Sequence, residues 1–188
     1  MHKAKAKTLD SYAHASLFTR ELLWYRACII LAQLVLLALD LLSKYIVRAA
    51  LPLHHNASFL PGFVELFHVE NTGAAFSIGQ GGGPVFVILA LCIVCYITYY
   101  LFRQRRSACA ITALTLVSAG ALGNAADRVF VGTVCDFFSF QFISFPVFNL
   151  ADIYITLGEC LLLILLVSKT FAPAPSTLAK QDSKVRDK

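Results

Sequence analysis

Apolar residues in this chain fall in long blocks instead of alternating with polar ones, which is the pattern of membrane spans. Four blocks stand out. Residues 24–47 are apolar apart from Arg26 and Gln33 until Asp40 and Lys44 interrupt them near the end. Residues 84–102 carry no charge and finish in aromatic side chains, and Pro84 suits the first turn of a helix. Residues 108–122 are short and rich in small side chains, as expected of a helix packed among other helices. That block reaches the ~20 residues a bilayer needs only by running on through Asn124. Residues 148–168 carry Asp152 and Glu159. The first block is longer than the ~7–15-residue core of a cleaved signal peptide and follows a polar leader, so it is predicted to be a retained span.

Composition agrees with the pattern. Of 188 residues, 58% are hydrophobic and 14% charged, too little charge to cover a soluble domain of this size. Thirteen of the 16 Lys and Arg precede the first block or sit in its first turn, separate the second from the third, or follow the fourth. By the positive-inside rule those regions are cytoplasmic. The predicted fold is all-α and integral to the membrane. It is a four-transmembrane-helix bundle, both termini cytoplasmic, with a small outward-facing β/loop subdomain between helices one and two. A basic cytoplasmic tail is expected over 1–22 and a membrane domain over 23–170, with outer loops at about 48–83 and 123–147. A disordered basic tail is expected over 171–188, and disorder also over the leader at 1–20. The net charge of +5 calls for no nucleic acid.

The six cysteines give no disulfide framework, since all but Cys135 sit in the spans. Cys92 and Cys95 lack the second pair or the histidine of a metal site, and His54, His55 and His68 have no ligand spacing. No metal is expected.

The remaining polar residues segregate by depth. Asp40 and Lys44 end the first span, Asn124, Asp127 and Arg128 end the third, and Asn149 and Asp152 begin the fourth. Asp136 lies in the loop just before it. All fall in one layer near the outer interface. Asp40 and Lys44, four apart, read as a buried ion pair. Arg128 beside Asp127 reads as a hydrogen-bonded brace. Asn149 is placed to cap the fourth helix, with Asp152 in the favourable first turn. Glu159 lies about 10 Å deeper than Asp152 on nearly the same face and is expected to point into the packing. An ion path needs polar groups at several depths, and only Glu159 lies deep. The outer run FVELFHVENTGAAFS (63–77) alternates and then turns small, reading as a surface strand where Gly73 allows close approach of an extended peptide.

Five ordered blocks, DLLSK (40–44), NTGAAF (71–76), AGALGNAADR (119–128), VCDFF (134–138) and FNLADIYITLG (148–158), carry a resemblance. Together they resemble bacterial lipoprotein signal peptidase (signal peptidase II), a family of integral-membrane aspartic proteases. The resemblance implies that Asp136 and Asp152 are the catalytic pair and that no cofactor is needed. It implies supporting or substrate-binding roles for Asp40, Lys44, Asn71, Gly73, Asn124, Asp127, Arg128, Asn149 and Ala151. It further implies a prolipoprotein substrate cut before its lipid-modified cysteine, contact with membrane lipid, and a monomer in the bacterial cytoplasmic membrane with its site near the outer face. The chain departs from the family pattern at Ala119, Ala126, Phe145 and Ile153, none of them a carboxylate. The chemistry is suited to two acids, because neighbouring carboxylates share one proton and so hold one base and one acid.

Overall fold

The computed structural model describes residues 2–73, 81–103 and 106–170, with side chains from 20 to 168. Its elements are α1 (His2–Ala50), β1 (Asn56–Leu60), β2 (Val64–Asn71), α2 (Gly83–Arg103), α3 (Ala108–Phe130), β3 (Val134–Phe140) and α4 (Leu150–Thr170). Four helical stretches are long and apolar enough to cross a membrane: Arg20–Ala50, Gly83–Arg103, Ala108–Phe130 and Leu150–Ser168. The third block does run on past Asn124, and Ser107 caps its start by accepting from the Ala110 N–H at 3.3 Å. The leader, expected to be disordered over 1–20, instead continues α1 back to His2. It holds neither Gly nor Pro and is rich in Ala and Lys, both strong helix formers. The tail at 171–188 and Ala74, Ala75 and Phe76 of the NTGAAF run lie outside the described residues.

Helix α3 is the centre of the bundle, in contact with α1, α2 and α4. Its small residues explain why. A Cβ on Gly123 would strike the Asp40 carboxylate, and one on Gly120 would strike the backbone oxygen of Ala151 and the Ile155 side chain. Close helix approach at these points needs glycine, as small-residue packing in membranes requires. The large apolar side chains that are left, among them Leu31, Leu34, Ile88, Tyr96, Leu163 and Leu166, are exposed on the outside of the bundle. That is the arrangement lipid calls for.

A three-stranded antiparallel sheet, ordered β1-β2-β3, sits at one end. Its first two strands come from the α1–α2 connection, as the alternating run suggested. The third comes from the α3–α4 connection, where no alternating run marks a strand. Val47, Cys135 and Phe137 form the small core that joins the sheet to the end of α1. Just past β3 the chain folds back on itself. Phe138 and Phe148 form an isolated bridge, with the Phe148 oxygen accepting from the N–H groups of Phe137 at 3.0 Å and Phe138 at 2.7 Å. This bridge lies two residues after Asp136 and one before Asn149. It therefore brings the strand and the start of α4 to the same place.

Candidate active site

Asp136 and Asp152 are held by separate sets of donors that meet at Asn149. The start of α4 is a reciprocal cap. Asn149 Oδ1 accepts from the Asp152 N–H at 3.0 Å, and Asp152 Oδ2 accepts from the Asn149 N–H at 3.0 Å. An Asp here does the work of the Glu or Gln in a capping box, satisfying two free N–H groups. The rest of the fully buried Asn149 amide points the other way, its Nδ2 donating to Asp136 Oδ1 at 2.7 Å and Asn124 Oδ1 at 3.1 Å. Asn124 Nδ2 donates in turn to Asp152 Oδ1 at 2.8 Å. Asp136 sits opposite Val69 in the β2–β3 ladder, and its Oδ2 accepts from Asn71 Nδ2 at 3.0 Å.

The other residues predicted for the site gather around this core. Lys44 and Asp40 form a fully buried ion pair at 2.8 Å, as their spacing predicted. Lys44 Nζ also donates to Asn124 Oδ1 at 2.9 Å, and Asp40 Oδ1 accepts from the Ala151 N–H at 2.9 Å. The pair thus braces α1 against both helices that bear the site. Asn71 Oδ1 accepts from the Gly73 N–H at 2.9 Å, and Arg128 Nη2 donates to the Gly73 oxygen at 2.7 Å. Gly73 is therefore pinned from both sides beside the carboxylates.

Two expectations are corrected. Arg128 does not brace Asp127. Adjacent residues of a helix point in different directions, so Arg128 bonds the backbone oxygens of Asn124 and Gly73 while Asp127 faces α1. Glu159 does not point into the packing. It is exposed on the surface of α4, because Gly158 takes the side of the helix that meets α3.

Sequence reasoning missed Arg48, which pairs with both Glu70 and Asp127. The available signal was its spacing, since Asp40, Lys44 and Arg48 follow one another at four-residue steps along one face of α1. His68 is a buried residue of β2 and lies 3.2 Å from Glu70 through Nε2. With Cys135 these two residues place three potential ligand atoms within 4.8 Å of one another. Arg48 already occupies the Glu70 carboxylate, however, and burial pushes the Cys135 thiol up to about 12, away from the thiolate a metal would need.

A cavity of about 760 Å³ opens beside the two aspartates. Asn71, Asn124 and Arg128 supply its polar wall, and Phe145, Phe148 and Ile153 much of its apolar wall. Burial pushes the Asp136 carboxyl up to about 6, and the nearby Asp152 charge adds to that against the donors Asn71 and Asn149. An acid that titrates so close to neutrality, beside a second carboxylate, is suited to carrying a proton in a reaction.

The family model for signal peptidase (SPase) II matches residues 32–168. The lipoprotein signal peptidase of Streptococcus pneumoniae is 39% identical over 145 residues, covering 77% of this chain and 95% of the relative. That of Streptococcus pyogenes serotype M1 is 38% identical over 138 residues, covering 73% and 91%. A bacterial membrane enzyme solved by the in meso method at 2.3 Å resolution superposes with a TM-score of 0.75 at 29% identity, covering 80% of this chain and 93% of its own. Family match, curated relatives and fold agree, and the chain belongs to the signal peptidase II family.

Proposed function

We propose that this protein removes signal peptides from lipid-modified prolipoproteins, cutting before the diacylglyceryl cysteine with a water activated by Asp136 and Asp152. What carries the reading is the Asn149 bridge. One buried side-chain amide donates to Asp136 while its oxygen caps the helix turn that holds Asp152. Two acids from different elements are thereby held at one cavity.

On this reading the two carboxyls share one proton and act as a coupled unit. The ionised member takes a proton from water, whose oxygen adds to the peptide carbonyl. The protonated member hydrogen-bonds that carbonyl and stabilises the tetrahedral intermediate. When the C–N bond breaks, the leaving amine takes up a proton from the pair. The products are a signal peptide ending in a carboxylate and a lipoprotein with a free amino group on its cysteine. The end of β2, Val69 to Asn71, lines the cavity where an extended substrate would run beside the carboxylates. The apolar wall of the cavity leaves room for acyl chains that stay at membrane depth. The site belongs at the outer face of the bacterial cytoplasmic membrane, with both termini on the other side, and the enzyme acts as a monomer without cofactor.

The test is product mapping. Full-length protein in lipid vesicles is given a precursor bearing diacylglyceryl cysteine, and the products are weighed by mass spectrometry. The expected product begins at the lipidated cysteine, and the same precursor without lipid stays uncut. A cut at another bond, or equal cutting of both precursors, overturns the reading.

A further inference from the structure

Arg48 stands outside the catalytic cavity, yet its bonds lead to Asp136 by two routes. Its Nε and Nη2 donate to Glu70 Oε1 at 2.8 Å and Oε2 at 3.1 Å. Its Nη1 and Nη2 donate to Asp127 Oδ1 at 3.0 Å and Oδ2 at 3.1 Å. Two-toothed pairing of this kind fixes orientation as well as distance, because the guanidinium is a planar fork. Asp127 Oδ2 also accepts from the Cys135 N–H at 3.0 Å, which ties the helix to the residue just before Asp136. Glu70 directly precedes Asn71, whose Nδ2 donates to Asp136. In the ladder Glu70 faces Cys135, so both routes end on the same rung. Thr133 and His68 hold Glu70 from its other sides.

From this arrangement we infer that Arg48 is a positioning residue for the proposed reaction, clamping α1, α3 and the β2–β3 rung so that Asp136 and Asn71 keep their place. The inference rests on Asp136 being half of the reacting pair. It adds a residue that touches neither the cavity nor the substrate. Without the fork, Asp127 and Glu70 lose their common anchor and the Glu70–Cys135 rung, next to Asp136, drifts. The Asn71 donor then slackens, and the Asp136 carboxyl keeps its proton to higher pH. Asp152, Lys44, Arg128 and Cys135, the other ionisable groups near Asp136, are unchanged in sequence by the substitution.

The experiment compares wild type, Arg48→Met, Arg48→Lys and Glu70→Gln in the vesicle assay, with full pH profiles and thermal unfolding of each protein. Arg48→Met is expected to lose roughly 10- to 100-fold in kcat, the scale of a small misplacement, with KM changed less than about twofold. Its acid limb moves to higher pH. Arg48→Lys keeps the charge without the fork and recovers part of the rate, and Glu70→Gln shows a smaller loss with the same direction of pH shift. If Arg48→Met does not fold, Arg48→Lys and Glu70→Gln carry the comparison. Variants that lose thermal stability while keeping the wild-type kcat and pH profile overturn the inference and leave the functional reading standing. A wild type that does not cut overturns both.

Discussion

Asp136 meets its neighbours through a strand and Asp152 through a helix terminus, so each side chain reports on a different part of the fold. Burial raises Asp136 to about 6, and Asn71 is among the donors that work against that rise. An acid limb of kcat/KM is therefore expected at about pH 6, displaced upward in Asn71→Leu, measured with the lipidated precursor. Glu70 behaves oppositely. Burial disfavours its charge, but hydrogen bonds from Arg48, Thr133 and His68 outweigh burial and hold it down at about 2. A lowered acid stabilises the fold above its unfolded pKa and loses that contribution as pH falls towards the folded value. Thermal unfolding of Glu70→Gln should accordingly depend less on pH between about 4.5 and 2 than that of wild type. At this scale the sequence was legible where spacing decides contact. Asp40 and Lys44 four apart do pair, and Asn149 does cap. It was illegible where direction decides. Arg128 turns from Asp127, Glu159 turns outward, and Arg48 finds partners 22 and 79 residues away along the chain.

Among the elements, α3 bears the most constraint because it packs on all the other helices through small side chains. A methyl group on Gly123 has no room against Asp40, so Gly123→Ala must push α1 away or break the Asp40–Lys44 pair. A lower unfolding temperature and reduced cleavage are expected together. Breaking the pair directly has a known scale. Lys44→Met alone leaves a buried Asp40 without its counter-charge, which costs about 3–5 kcal/mol, whereas replacing both partners with apolar residues costs less, the Ala151 N–H then losing its acceptor. Comparing the single variant with Asp40→Leu/Lys44→Met by thermal unfolding separates that electrostatic cost from simple loss of packing. The helices were readable because each is a long apolar run. Strand β3 was not, since VCDFFSF is short, follows directly on α3, and pairs with β2 some 65 residues earlier in the chain. Only the pairing reveals it as a strand, and that pairing is what carries Asp136 to the site.

The whole molecule is a lipid-facing bundle with its polar groups collected at one end beside a small sheet. The exposed large side chains along the first, second and fourth spans need a bilayer around them. Charge distribution predicts which way the bundle sits. With native cysteines replaced, a cysteine introduced at Ser107 should be labelled only from the cytoplasmic side, and labelling from outside would invert the orientation. Fold class and the layer of polar residues could be read from the sequence because hydropathy and depth are one-dimensional properties. The Phe138–Phe148 bridge that gathers the layer into a site could not, since it depends on the chain doubling back between β3 and α4. The central claim is that Asp136 and Asp152 together cut the lipidated precursor. Its most direct test is the single-turnover rate of that cleavage in vesicles by wild type, Asp136→Asn and Asp152→Asn, each shown to be folded. Each substitution is expected to lower the rate at least about 100-fold, the low end of general acid–base catalysis. Either folded variant cutting at the wild-type rate would contradict it.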